Sequence, residues 1–335
     1  MDLAQLEEVL KGEPTFRLKQ VKRVLYRDLI KDWSKATILP LALRQELKEK
    51  CKIAIEAKTF TSKDKRAVKA LIALKNGLKV ESVLMRHRDK RNTVCVSSQV
   101  GCLLGCVFCA TGQIGFKRNL GALEIIEQVL FFARYLKKKR DKVTNVVFMG
   151  MGEPFLNYEN VLSAIRILND KEGFNLGARR FSISTVGIIE GIKKLTREKL
   201  EVNLAISLHA PDNALRSKIM PINKKYPLRK VLKAVDSYIK KTRRRVMFEY
   251  IMIKGVNDSD RHAQKLAKLM KRPLCFVNLI SYNPTGVFEP SLPQRIKKFK
   301  EVLEREGIAA TQRYRFGEDI EAACGQLAGK GIRES

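Results

Sequence analysis

The chain has 335 residues, of which 45% are hydrophobic and 30% are charged. This length and composition are typical of a globular protein of about two domains, and they exclude collagen-like and low-complexity chains. Lysine and arginine outnumber aspartate and glutamate by 66 to 35, which gives a formal net charge of +31. This excess favours a polyanionic partner, above all nucleic acid, because a merely solubilising surface would be closer to charge balance.

Neither membrane insertion nor secretion is expected. Residues 1–8 are polar and acidic, unlike a signal peptide. Residues 92–116 carry no charge and are long enough to span a bilayer, but they include polar side chains and four glycines, so we interpret them as buried active-site chain. Seven cysteines without a secretory signal indicate a reducing cytoplasm, where cysteine serves metal binding, catalysis or packing more often than disulfides.

The first part of the chain is predicted to be a small, basic, helical accessory domain over residues 1–77 that binds the polyanionic partner. Apolar residues recur at helical spacing in residues 3–10 and again in residues 21–29. Residues 69–74 are predicted to continue the helical pattern, and the domain is expected to end near residue 77.

From about residue 80 onward, apolar runs alternate with amphipathic stretches. Strands are predicted at residues 94–97, 146–149, 181–185, 204–208, 246–252 and 276–280. Helices are predicted at residues 123–139, 158–168, 188–195, 228–241, 263–270 and 294–305. The alternation predicts an α/β fold, a complete or incomplete parallel (β/α) barrel over residues 78–315 with its chemistry at the carboxyl ends of the strands. A doubly wound open sheet is the alternative, and residues 316–335 are predicted to form a C-terminal extension.

The strongest chemical signal is a C-x3-C-x2-C run made by Cys102, Cys106 and Cys109, just after the first predicted core strand. Soft thiolates suit an iron–sulfur cluster or zinc. Structural zinc requires four protein ligands, and this run supplies three. Clusters that only carry electrons are usually held by four cysteines, so a 4Fe–4S cluster on three implies an iron left open for chemistry.

This run, with an aromatic residue before its last cysteine, resembles the signature of radical S-adenosylmethionine (radical SAM) enzymes. Further segments resemble the RlmN family of RNA adenine carbon-2 methyltransferases, to which the carbon-8 enzyme Cfr is closely related. These segments are residues 95–102, 109–112, 149–154, 207–211, 220–226 and 317–327. The resemblance covers nearly the whole chain, and the proline after Gly152 and Glu153 favours RlmN over Cfr.

The resemblance implies a mechanism with two S-adenosylmethionine molecules per turnover. The first methylates a cysteine, which matches Cys324, and the second yields a radical that activates this methyl group for addition to adenine. Cys95 matches the thiol that resolves the protein–RNA adduct through a transient disulfide with Cys324. Glu81 matches the general base that removes the carbon-2 proton.

The resemblance also implies the cofactors and partners. One 4Fe–4S cluster is expected on the three cysteines of the run. The residues that match S-adenosylmethionine contacts are Gly152, Glu153, Ser184, Ser207, Leu208, His209 and Asn283. The expected substrates are 23S rRNA in the peptidyl-transferase region and the tRNA adenine next to the anticodon. An external electron donor such as flavodoxin or ferredoxin, a cytoplasmic location and a monomeric state complete the expectation.

Basic clusters are expected to bind RNA phosphates, while the target adenine flips into the barrel mouth. They lie at residues 86–91, 137–140, 179–180, 240–245 and 297–300. Two rival classes remain, a non-catalytic iron–sulfur RNA-binding protein and a zinc-stabilised ribosome assembly factor. The iron–sulfur rival would have no use for Cys95 and Cys324, and the zinc rival would contain zinc instead of a cluster.

Overall fold

The computed structural model describes residues 3–329, so residues 1–2 and 330–335 of the two predicted terminal segments lie outside the described residues. The chain begins with three helices, α1 (Leu3–Val9), α2 (Thr15–Tyr26) and α3 (Leu41–Lys50). A proline precedes each of α2 and α3, where its fixed φ suits a helix start. Trp33 is fully buried among these helices, and its indole N–H donates to the Cys51 carbonyl at 2.6 Å.

The helix predicted at residues 69–74 is wrong. This segment belongs to strand β2 (Ala67–Ala73), which pairs antiparallel with β1 (Ala57–Thr61) on one side and β3 (Lys79–Arg86) on the other. The first four residues of β2 are all buried, so both faces of the strand are covered. A strand buried on both faces has no alternation of apolar and polar residues, and its pattern is then indistinguishable from that of a buried helix.

The remaining strands extend this sheet and add a small ribbon. They are β4 (Asn92–Cys95), β5 (Gln99–Gly101), β6 (Phe116–Asn119), β7 (Asn145–Phe148), β8 (Phe181–Thr185), β9 (Asn203–Ser207), β10 (Val246–Met252), β11 (Cys275–Ser281) and β12 (Ala310–Gln312). Strands β5 and β6 form the ribbon, and the others form one ten-stranded sheet with β1–β3. The six predicted strands are confirmed, two of them at their exact ends.

In the second half of the chain, the helices lie in the segments that connect successive strands. They are α4 (Ala110–Gln113), α5 (Ala122–Lys137), α6 (Tyr158–Asn169), α7 (Ile189–Leu195), α8 (Asn213–Ile219), α9 (Leu228–Thr242), α10 (Asp260–Met270) and α11 (Pro293–Arg305). The six predicted helices are confirmed with shifts of a few residues at their ends. None of the helices in residues 3–329 combines the length and the apolar character that a bilayer crossing needs.

The strand order decides the architecture. Seven strands lie side by side in the same order as they follow in the chain, and each adjacent pair is parallel. They are β4, β7, β8, β9, β10, β11 and β12. A doubly wound sheet reverses its strand order at a switch point, and no reversal occurs here, so that alternative is wrong. Within residues 3–329, β1 and β12 remain unpaired sheet edges, which makes the barrel incomplete.

The C-terminal segment returns to the first strands of the sheet and contacts the loops that follow β1 and β3. Phe316 makes an edge contact with the ring of His87 at a centroid distance of 4.9 Å. Asp319 accepts a hydrogen bond from the Lys63 backbone N–H at 2.8 Å. The tail thereby brings Cys324 to the edge of the sheet where the parallel strands end. The division into separate domains at residues 77 and 316 stays a prediction.

Candidate active site

The three cysteines of the C-x3-C-x2-C run line one cavity of about 140 Å³. They lie on the loop between β5 and α4. The Val107 N–H donates to the Ile219 carbonyl at 3.0 Å, which fixes the loop to the end of α8. Gly101 has φ +77°, and a Cβ there would lie 1.8 Å from the Gly115 carbonyl oxygen, so no other residue fits at the start of the loop.

The donor set fits an iron–sulfur cluster better than a single metal ion. No three His, Cys, Asp or Glu side chains of residues 3–329 converge as the ligands of one ion would. A 4Fe–4S cluster instead bonds each cysteine to a different iron, so its thiolates need not converge on a point. Burial raises the pKa of Cys102 to about 12, and burial with the nearby Cys109 and Cys102 thiols raises the pKa of Cys106 well above its ordinary value. Bound iron would offset this cost, because metal ligation replaces the thiol proton.

Residues at the ends of three neighbouring strands also line this cavity. Gly152 and Glu153 follow β7, Ser184 lies in β8, and Ser207 ends β9. Gly152 has φ +97°, and a Cβ there would lie 2.5 Å from Gln99 Cβ. The structure therefore brings most of the predicted S-adenosylmethionine contacts together, as parallel strand ends in a barrel should.

Glu153 is buried, and both of its carboxylate oxygens are already hydrogen-bonded. Its Oε1 accepts from the Phe155 N–H at 3.0 Å and its Oε2 from the Val186 N–H at 2.9 Å. Burial raises the pKa of Glu153 to about 7, although these N–H donors act in the opposite direction. The carboxylate retains lone pairs for a ligand amino group, but it also organises the loops after β7 and β8.

His209 lines the cavity as a neutral imidazole. Its Nδ1 accepts from the Ile251 N–H at 3.1 Å, which leaves the proton on Nε2. Burial, and to a smaller extent Arg216, lowers the pKa of His209 to about 3. Its ring meets Phe108 of the cysteine loop edge-on at 5.0 Å. Leu208, predicted with it, is fully buried beneath the wall and does not line the cavity.

Cys95 and Cys324 line a second cavity of about 40 Å³, and Cys324 lines the first cavity as well. Cys324 therefore lies between the cysteine loop and Cys95. Burial raises the pKa of the Cys95 thiol to about 12, the Cys324 thiol adds to this, and Arg313 opposes it. Cys324 is exposed by surface area, yet the surrounding protein desolvates it enough to raise its pKa, again with Arg313 in opposition.

Three hydrogen bonds hold the tail around Cys324. Asn283 Nδ2 donates to the Cys324 carbonyl at 3.0 Å, the Ala110 N–H donates to the Gly325 carbonyl at 2.8 Å, and Thr111 Oγ1 donates to the Leu327 carbonyl at 2.6 Å. Asn283, predicted as an S-adenosylmethionine contact, lines the second cavity and not the first. In this structure it positions the tail.

Glu81, the predicted general base, lines neither cavity. It is 1% exposed, and its Oε1 lies 3.0 Å from Nζ of the equally buried Lys69. Its Oε2 accepts from the Ala328 and Gly329 backbone N–H groups at 2.7 and 3.0 Å. The tail therefore covers this carboxylate in the conformation described.

Sequence reasoning missed two charged residues at the boundary of the cavities. Glu249 lines the first cavity and Arg313 the second. Glu249 could have been singled out from the sequence, because a carboxylate inside the apolar strand run at residues 246–252 is costly to bury without a partner or a function. No sequence pattern singles out Arg313, since the three-residue strand β12 before it has no apolar run.

Known proteins resemble this chain over nearly its full length. Residues 96–267 match the model of the Radical SAM superfamily. A "Probable dual-specificity RNA methyltransferase RlmN" of Dictyoglomus thermophilum is 46% identical over 330 residues, covering 97% of this chain and 94% of that protein. Another protein of that name, from Chloroflexus aurantiacus, is 46% identical over 349 residues, covering 98% and 92%. The crystal structure of a radical SAM methyltransferase from Sphaerobacter thermophilus superimposes with a TM-score of 0.94 at 44% identity, covering 98% of each chain.

Identity at this level over almost the full length does not arise by chance between unrelated folds. The matches span the cysteine loop, the strand-end residues and the tail that carries Cys324. The chain therefore belongs to the RlmN family of radical SAM RNA methyltransferases.

Proposed function

We propose that this enzyme methylates carbon 2 of adenine in 23S rRNA and in tRNA, with Cys324 as the methyl carrier. The observation that carries the proposal is the position of Cys324, which lines both the cavity of the three-cysteine loop and the cavity of Cys95. The relatives named as dual-specificity enzymes support two RNA substrates. The net charge of +31 supports a polyanionic partner.

The target atom explains why such a site is needed. Carbon 2 of adenine is electron-poor, so it does not attack an electrophilic methyl group, but a carbon radical can add to it. Cys102, Cys106 and Cys109 would hold the cluster, which would supply the electron for radical formation from S-adenosylmethionine. Two S-adenosylmethionine molecules are used per turnover, one for the methyl group and one for the radical.

The chain's own residues do the rest. The Cys324 sulfur holds the methyl group within reach of the first cavity, while Asn283 and Ala110 fix the carbonyl groups of Cys324 and Gly325. The Cys95 thiol then attacks the Cys324 sulfur and releases the product. Thiol attack on sulfur requires an ionised and accessible thiol, and the shared second cavity provides the access.

Glu81 serves as the base for the carbon-2 proton only after the tail moves. Its carboxylate is engaged by Lys69, Ala328 and Gly329, and it is almost fully buried. Entry of the adenine would have to release the two tail N–H groups to expose Glu81 Oε2. A general base must lie within hydrogen-bond reach of the proton it takes.

The remaining partners follow from the same chemistry. Because the radical step consumes an electron, the enzyme requires an external one-electron donor of the flavodoxin or ferredoxin type. We propose that it acts as a monomer in the cytoplasm, where thiols remain reduced between turnovers.

The two lone cysteines give the first test. Cys95→Ala should still build the bond to adenine but fail to release it, so a covalent protein–RNA species should accumulate on a denaturing gel. Cys324→Ala should bind the cluster but give neither adduct nor product. Cys275→Ala, a matched control outside both cavities, should behave like the wild type. Active, uncrosslinked Cys95→Ala and Cys324→Ala variants would defeat the mechanism.

The methylated carbon is read from the product. Mass spectrometry of rRNA and tRNA nucleosides from cells with and without the gene should show gene-dependent 2-methyladenosine in both RNAs. Gene-dependent 8-methyladenosine would instead assign the Cfr-type reaction.

A further inference from the structure

Arg313 lies at the boundary between the two cavities. Its Nη1 lies 3.2 Å from Met149 Sδ and 3.8 Å from Glu249 Oε1. Met149 lines both cavities, Glu249 lines the first, and Arg313 lines the second together with Cys95 and Cys324. The guanidinium thus reaches inward to the wall that separates the two cysteine sites.

A second arginine in the same cavity shows what distinguishes Arg313. Among the described residues that line the second cavity, the charged ones are Arg313 and Arg315. Arg315 Nη2 donates to Ser281 Oγ at 2.6 Å and to the Tyr282 carbonyl at 2.7 Å, and its Nη1 lies 3.1 Å from the Glu318 carboxylate. Arg315 is thus held by two short hydrogen bonds and an ion pair. The contacts of Arg313 are Met149 Sδ and a longer ion pair with Glu249, and it makes them beside Cys95 and Cys324 in the second cavity.

We propose that Arg313 is a positioning residue for the thiol chemistry, in which its guanidinium is the counter-charge of the Cys95 sulfur as that sulfur attacks Cys324. This inference rests on the proposed roles of the two cysteines. Burial and the neighbouring Cys324 both oppose ionisation of Cys95, and Arg313 is the charged group that favours it. A buried thiol without such a cation stays protonated and inert.

The assisted step is balanced in atoms and electrons. The Cys95 sulfur gives up its proton and attacks the Cys324 sulfur, which is bonded to the methylene carbon on adenine. The S–S bond forms, the S–C bond breaks, and its electron pair passes to the methylene carbon, which takes up a proton and becomes the methyl group. The two sulfurs are oxidised by two electrons and the carbon is reduced by two, so a dithiol reductant must afterwards restore both cysteines.

The test measures the reactivity of Cys95 in the cluster-loaded protein without RNA. Alkylation of Cys95 by iodoacetamide is followed against pH by peptide mass spectrometry. Arg313→Gln should slow it about threefold to tenfold at a fixed pH and move the profile to higher pH. Arg313→Lys should restore most of the rate, and Arg315→Gln, the matched control, should leave the profile in place. A profile unchanged by Arg313→Gln overturns the proposal.

A measurement on the wild type avoids any folding defect of the variants. The quantity measured is the rate of Cys95 alkylation by anionic iodoacetate divided by the rate with neutral iodoacetamide. This ratio should be higher in the folded protein than in the urea-unfolded chain, because Arg313 attracts the anion. A ratio that does not rise on folding overturns the proposal. If Cys95→Ala gives no RNA adduct, the proposed roles of the two cysteines are wrong, and the role of Arg313 is wrong with them. If the adduct forms but Arg313→Gln leaves the alkylation profile unchanged, only the role of Arg313 is rejected.

Discussion

Cys106 shows how much depends on single side chains in the cysteine loop. It is 8% exposed and lies between Cys102 and Cys109 along one cavity wall. We expect the wild type prepared without oxygen to hold about one 4Fe–4S cluster per chain and Cys106→Ala to lose it, because only two thiolates of the run would remain. Iron content and visible absorption measure the outcome.

A matched cysteine variant is the control for that experiment. Cys275 begins β11 and lines neither cavity, so Cys275→Ala should keep its full iron content. A full cluster in Cys106→Ala would show that another residue set holds the iron.

At the residue scale, spacing alone singled out the cysteine run, and the resemblance to a family supplied the other candidate residues of both cavities. The motifs that carry Glu153, Ser184 and Ser207 are local segments at or just after strand ends, so a resemblance can be seen in them without knowledge of the fold. The contact between Glu81 and the tail joins residues 247 positions apart, and such contacts leave no mark on local pattern. Only the folded chain shows that the predicted base is covered by the segment that also carries Cys324.

At the scale of elements, the central parallel strands were predictable because strands covered on both faces read as short apolar runs bounded by helices. Strand β8 is an example, since its predicted and observed ends coincide. Strand β2 was mistaken for a helix because its burial follows from pairing with β1 and β3, not from local spacing. Strand β12 has exposed residues at two of its three positions and gave no signal.

The pairing of β2 with β3 supports a buried ion pair whose removal should be costly. Lys69 and Glu81 are each about 1% exposed and lie 3.0 Å apart. Lys69→Met leaves the Glu81 carboxylate buried without its cation, so the free energy of unfolding should fall by about 3–5 kcal/mol. Urea denaturation followed by circular dichroism measures this loss.

The neighbouring strand offers a control for this ion pair. Lys58 on β1 is exposed, so Lys58→Met should change stability by less than about 0.5 kcal/mol. The double variant Lys69→Met/Glu81→Leu should recover much of the loss, because replacing both charges removes the unpaired one. Equal stability of Lys69→Met and Lys58→Met would show that the pair contributes nothing.

At the scale of the whole molecule, the sheet orients the positive charge with respect to the active site. All parallel strands end on the side of the two cavities, while residues 243–245 lie at the start of β10, on the opposite side. The predicted RNA contact at residues 240–245 is therefore far from the chemistry. The segment between β9 and α9 lies on the cavity side, and there Met220 lines the first cavity.

Three exposed lysines of this segment are the stronger candidates for phosphate contacts. Lys218, Lys224 and Lys225 flank Met220, and the carbonyl of Ile219 binds the cysteine loop through Val107. Replacing the three lysines by alanine should weaken RNA binding and reduce the slope of log affinity against log salt by about two, because each lost phosphate contact removes about 0.7–0.9 from the slope. Fluorescence anisotropy with a labelled rRNA hairpin over a series of salt concentrations gives both quantities.

The matched control replaces Arg243, Arg244 and Arg245 by alanine. It removes the same charge from the far side of the sheet and should change the slope much less. A larger effect from the arginines than from the lysines would show that RNA approaches the amino ends of the strands, where it could not deliver an adenine to Cys324.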